Sequence, residues 1–177
     1  DNTRHNAGFA YVDALAERHH GQWKADKKYA GELCQINMDG RAVMLLKPMT
    51  FMNCSGQSVA ALAQFFKWPP DGILVAHDEL DLNPGIARFK QGGGHGGHNG
   101  LRDIIACLGN QKQFYRLRIG IGHPGQARDV VNFVLSKAPP AERELTDNAI
   151  NAALAETALA ANGHWAKAQN ALHSFRG

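Results

Sequence analysis

Several clusters in this chain combine residue types that could do chemistry. His77-Asp78-Glu79-Leu80-Asp81 directly follows a short apolar run, Ile73–Ala76. In open α/β sheets the carboxyl ends of strands are where sites form. A carboxylate there can orient an imidazole and stabilise its charged form; a solvated polar turn is the ordinary alternative. Residues 92–100, Gly-Gly-Gly-His-Gly-Gly-His-Asn-Gly, hold six glycines in nine positions. Such a stretch is costly in chain entropy. It is either a flexible surface loop or a place where backbone, His95, His98 and Asn99 approach a ligand closely.

Two sharper readings of the glycine-rich stretch are weak. Gly92, Gly94 and Gly97 match G-x-G-x-x-G between an expected strand and helix, but about twenty residues on the chain has Leu117 with no acid beside it, so the dinucleotide fingerprint is incomplete. His95 and His98 have H-x-x-H spacing and, with His77 and Asp78, could ligate a metal. Nothing supplies a helical H-E-x-x-H. No metal and no cofactor are expected.

Cations fall in pairs. Arg88 and Lys90 are two apart on one expected strand, and Arg116 and Arg118 on another, so each pair shares a strand face. Clustered positive charge beside a polar site suits phosphate contacts, and solvated strand faces are the alternative. Met49-Thr50-Phe51-Met52-Asn53-Cys54-Ser55-Gly56 surrounds one asparagine with apolar residues. Asn53 can donate and accept at once and so read a peptide backbone, or simply cap a helix. In Thr3-Arg4-His5-Asn6-Ala7-Gly8, His5 precedes a helix. The helix's positive end disfavours imidazolium, leaving a neutral ring able to accept a proton; an adjacent carboxylate would pull the other way.

The elements that must position these residues follow from periodicity. Ala7, Ala10, Tyr11, Ala14 and Leu15 mark an amphipathic helix from about Asn6 to Gly21. Leu33–Ile36 and Ala42–Leu46 flank Asp39-Gly40 as a hairpin. Val59, Leu62, Ala63 and Phe66 give a second helix, starting near Asn53 or Ser55 and ending before Pro69-Pro70. Ile73–Ala76 reads as a strand buried on both faces, and Ile86–Lys90 as another. A helix follows from about Leu101. The alternation from Tyr115 to Ile121 is the clearest strand. Pro139-Pro140 opens a long helix, and a last helix runs from about His164 to Phe175. Strands mixed with helices indicate one α/β domain with a mixed, largely parallel central sheet covered by helices on both faces.

Bulk properties agree. The 177 residues are 44% hydrophobic and 20% charged, with net charge +3. This permits a polyanionic partner without demanding one. No apolar run of about 18 residues could span a membrane. Three cysteines form no C-x-x-C pair.

Together these segments resemble the bacterial peptidyl-tRNA hydrolase family. The resemblance rests on Thr-Arg-His-Asn-Ala-Gly at 3–8, Thr-Phe-Met-Asn at 50–53 and Ser-Gly at 55–56. It continues through Ile-Leu-Val-Ala-His-Asp-Glu-Leu-Asp-Leu at 73–82 and Gly-Gly-Gly-His-Gly-Gly-His-Asn-Gly-Leu at 92–101, ending with Arg-Leu-Arg-Ile-Gly-Ile-Gly-His-Pro-Gly at 116–125. Order and spacing hold from residue 3 to about 137.

The resemblance implies an esterase that cuts the bond between peptide and tRNA, with His5 as the base activating water and Asp78 orienting it. Asn53 would hold the peptide backbone, and Asn99 and His98 would lie near the reacting centre. Met52, Phe51 and Gly96 would line the substrate pocket. Arg88, Lys90 and Arg118 would contact tRNA phosphates, and 124–138 would be a lid. It further implies a cytoplasmic monomer without cofactor or membrane attachment. Family members carry an apolar strand and an Asn-Pro-Gly-type loop before the segment at 3–8. Nothing here corresponds, so those residues are expected to be missing from the given chain. Two rivals stay open, a non-catalytic RNA-binding relative and a metal-dependent hydrolase using His77, His95 and His98.

Overall fold

The computed structural model describes residues 3–49 and 55–175. Contacts divide the chain into two compact units. One comprises Asp1–Leu15, Val75–Lys90 and Arg116–Gly177; the other comprises Ala16–Leu74 and Gln91–Tyr115.

The second unit contains an antiparallel sheet of β1 (Lys24–Asp26), β2 (Gly31–Met38) and β3 (Arg41–Pro48). Cys34, Ile36 and Met38 are buried at the strand period of two. The β2–β3 hairpin closes through Asp39 and Gly40, whose φ values of 52° and 87° suit the Asp-Gly turn expected there. Helices α2 (Gly56–Phe66) and α3 (Asn99–Cys107) complete this unit. A Cβ on Gly56 would collide with the carbonyl oxygen of Asp103, so only glycine permits this helix contact. Asp103 Oδ2 also accepts from Gly56 N at 2.7 Å, capping α2 from the neighbouring helix.

The other sheet has the order β4 (Leu74–Glu79), β6 (Tyr115–Gly120), β5 (Ala87–Gln91). The bonds Tyr115 N to Ile73 O and Ile121 N to Glu79 O advance together along both strands, so β4 and β6 are parallel. Gly92 N to Phe114 O and Gly120 N to Ile86 O run in opposite order, so β5 is antiparallel to β6. The α/β class is as expected. The single, largely parallel sheet is not: the described strands form two three-stranded sheets, one wholly antiparallel and one mixed.

This register sorts the side chains of the mixed sheet. Ala76, Asp78, Leu117, Ile119, Ala87 and Phe89 share one face, and His77, Glu79, Arg116, Arg118, Arg88 and Lys90 share the other. Leu117, Ile119, Ala87 and Phe89 are all buried. Their face carries α1 (Ala7–Arg18) and α6 (Trp165–His173): the Phe89 and Trp165 rings meet edge to face at 5.7 Å, and Gln169 Nε2 donates to Phe89 O. Gly8 brings α1 against β4, since a Cβ there would collide with Ala76 O. In α1 the buried stripe is Ala7, Tyr11 and Leu15, while the expected Ala10 is exposed. Tyr11 is bound through its hydroxyl to Thr157 of α5 (Pro140–Ala161) at 2.7 Å, and burial pushes its pKa up to about 12.

The expectation for β4 is inverted in part. The apolar residues 74–76 are only half-buried, and the buried positions are His77 and Asp78. The strand runs through the polar residues and does not end before them.

Candidate active site

His5 lies in a 3-10 turn, Arg4–Asn6, that leads into α1. Asn6 N donates to Thr3 O at 3.0 Å and Ala7 N to Arg4 O, which fixes the turn. Asp78 lies near the end of β4 on the apolar face and is 5% exposed. The two meet: His5 Nδ1 is 2.8 Å from Asp78 Oδ2. They are 73 residues apart in sequence and brought together by the seating of α1 on β4.

The carboxylate can only accept when ionised, so Nδ1 carries the proton and the neutral ring presents its lone pair at Nε2. The opposing influences on His5 are resolved in favour of the carboxylate. The hydrogen bond to Asp78 raises its pKa, burial lowers it, and the charge of Asp78 raises it further; the outcome lies above 6.5. The ring is thus a stronger base than an isolated histidine, held in one tautomer.

Glu79 turns to the opposite face and accepts from Arg118 Nε at 2.9 Å. Burial raises the Glu79 pKa. The hydrogen bonds from Arg118 and the Asp81 N–H, with the charges of Arg118 and His77, outweigh it, and the pKa lies below 4.5. Arg88 is half-buried and Lys90 exposed. The antiparallel register sets Arg88 opposite Arg118 and Lys90 opposite Arg116. Like charges directly opposite are destabilising, and on this face the Glu79 carboxylate offsets part of the charge of Arg118. Arg116 is the exception to the solvated-face alternative: it is 3% exposed, and burial lowers its pKa.

The glycine-rich segment belongs to the other unit. His98 caps α3, its Nδ1 accepting from Leu101 N at 3.2 Å, and Asn99 is the first, exposed residue of that helix. Gly96 has φ +57° and is exposed. His95 Nδ1 accepts from Gly97 N at 3.0 Å, and His77 Nδ1 donates to Asp78 O at 2.9 Å. All three histidines of the metal reading thus use Nδ1 on the main chain. Phe51, Met52 and Asn53 lie outside the described residues.

Two residues with clear contacts carried no sequence signal of their own. Glu79 as partner of Arg118 is visible only once β4 and β6 are neighbours. Arg4 contacts a segment more than 125 residues away.

Comparisons with known proteins match this chain along nearly its whole length. A family profile described as peptidyl-tRNA hydrolase matches residues 1–176. A peptidyl-tRNA hydrolase from Tolumonas auensis is 59% identical over 175 residues, covering 99% of this chain and 89% of the relative. One from Erwinia tasmaniensis is 56% identical over 174 residues, covering 98% and 89%. The crystal structure of peptidyl-tRNA hydrolase from Acinetobacter baumannii superposes with a TM-score of 0.96 at 48% identity, covering 99% of this chain and 88% of that one. With the fold and the sequence in agreement along nearly the whole chain, this protein belongs to the peptidyl-tRNA hydrolase family.

Proposed function

We propose that this chain hydrolyses the ester joining peptide to tRNA in peptidyl-tRNA, releasing both for reuse in translation, with His5 as general base. The observation that carries this reading is the 2.8 Å contact between His5 Nδ1 and the buried Asp78 carboxylate. It makes Nε2 the basic nitrogen of the neutral ring, the atom that takes a proton from water. The water oxygen attacks the ester carbonyl carbon, the bond to the ribose oxygen breaks, and His5 returns the proton to that oxygen. Asp78 stabilises the imidazolium between these steps. An ester is already activated relative to an amide, so a positioned base supplying roughly 10²–10⁴-fold, about 3–5 kcal/mol, is a large share of what is needed.

The remaining assignments extend this reading. Asn53 and Asn99 orient the peptide and offer donors to the developing oxyanion. Phe51, Met52, Gly96 and His98 contact substrate. Arg88, Lys90 and Arg118 bind tRNA phosphates by charge and shape, without base readout. The chain acts as a cytoplasmic monomer, forms one hydrolase domain with 124–138 as a lid, and uses no metal. Among the described residues no helix is long and apolar enough to cross a membrane.

The test is release of peptide from N-acylated aminoacyl-tRNA, with and without chelator. His5→Ala should lower kcat by roughly 10²–10⁴-fold with tRNA affinity nearly intact, and chelator should change nothing. Unchanged turnover in His5→Ala would remove His5 as base, and inhibition by chelator would favour a metal-dependent hydrolase.

A further inference from the structure

Arg4 immediately precedes the proposed base, and the end of its guanidinium is engaged with a distant stretch, while Nε is buried without a hydrogen-bond partner among the described residues. Its guanidinium carbon stands 4.0 Å over the Phe133 ring. Nη1 donates to Phe133 O at 3.2 Å and to Ser136 Oγ, and Nη2 lies 3.7 Å from Glu142. Ser136 Oγ in turn donates to Phe133 O at 2.7 Å, closing a small network. The backbone repeats the attachment: Arg4 N donates to Ser136 O at 3.1 Å, and Thr3 and Lys137 form an isolated antiparallel bridge. The carbonyl Arg4 binds lies in α4 (Val130–Val134), where a cation is favourable near the carbonyl end.

One residue thus gathers the segment 133–142 and holds it to the turn at 3–6. That turn is only three residues long and internally bonded, and it carries His5 directly beside Arg4. We propose that Arg4 is a positioning residue, fixing His5 against Asp78 by tying the 133–137 strap to the turn that carries the base. This rests on the reading of His5 as base. Arg4 acts through the main chain, and its planar fork is matched to stacking plus several acceptors, which lysine cannot reproduce.

The test compares Arg4→Ala, Arg4→Lys and Ser136→Ala with the unaltered protein by steady-state kinetics across pH and by NMR titration of the His5 ring. Arg4→Ala should lower kcat about 10- to 100-fold, the scale of a misplaced catalytic group, with KM within about twofold. With the Asp78 bond loosened, the His5 titration and the acid limb of kcat should both move to lower pH. Ser136→Ala should move both in the same direction by less, and Arg4→Lys should restore only part of the loss. If Arg4→Ala does not fold, Ser136→Ala and Arg4→Lys decide the matter by the His5 titration alone. An unmoved His5 titration in the folded variants would overturn the proposal. So would a raised KM with a reduced salt dependence and unchanged kcat, which would make Arg4 a phosphate contact. If His5→Ala is inactive and Arg4→Ala is normal, only this inference fails; if His5→Ala is active, the reading beneath it fails.

Discussion

Asp78 and Glu79 are neighbours on one strand, each bound to a base at almost the same distance, 2.8 and 2.9 Å, yet they stand on opposite faces of the mixed sheet. On the apolar face the partner is an imidazole, which can lose its proton near neutral pH. On the cationic face the partner is a guanidinium, which cannot. The hydrogen-bond geometry is nearly equal, so the difference in chemistry comes from the partner's own proton affinity. One pair can cycle a proton; the other can only hold a charge in place. Strand alternation is what separates the two tasks, and it needs no extra element to do so.

The comparison can be broken most sharply at Asp78. Asp78→Asn should lower kcat by about 10²- to 10⁴-fold by losing the tautomer and the stabilised imidazolium. Without its two raising influences, the His5 pKa should fall and the acid limb of the rate profile should move to lower pH. The sign for stability follows from the same shift. A histidine whose folded pKa lies above 6.5 contributes stability that is fully present below pH 6.5 and lost as pH rises through the folded value. The melting-temperature gap between the unaltered protein and Asp78→Asn should therefore narrow on going from that window to alkaline pH. A gap that widens there would contradict the assignment.

On the cationic face the effects should be smaller and of another kind. Arg118→Ala should raise KM, reduce the slope of log affinity against log salt by about 1, and leave kcat nearly unchanged. A fall in kcat with an unaltered salt slope would place Arg118 in the chemistry instead. The smallest effect belongs to Glu79→Gln. It removes a half-buried partner worth no more than about 1 kcal/mol, so tRNA affinity should tighten by less than about fivefold at low salt. Weaker binding would mean that Glu79 chiefly holds Arg118 in its productive direction.

These contrasts show which parts of the structure were legible beforehand. The shared face of Arg88 and Lys90, the hairpin at Asp39-Gly40 and the helices at 7–18 and 140–161 follow from local periodicity and turn chemistry, which a sequence states directly. The pairing of His5 with Asp78 followed only from resemblance, because nothing local connects residues 73 apart. Strand partnership is also nonlocal. The division into two sheets, the antiparallel β5 and the Arg118–Glu79 contact were therefore hidden, although the alternation that aims each side chain was not. The burial of Arg116 was hidden for a related reason: a strand face reads the same whether water or protein lies over it.

Gly8 has a further consequence. The helix that follows His5 can settle on its strand only because position 8 lacks a methyl group, and one added carbon would strike the carbonyl oxygen of Ala76, two residues before Asp78. The gap between His5 and Asp78 is thus gauged by an omission three residues downstream of His5. A seemingly mild alanine there would act as a wedge, disarming the enzyme without altering any group that takes part in the reaction.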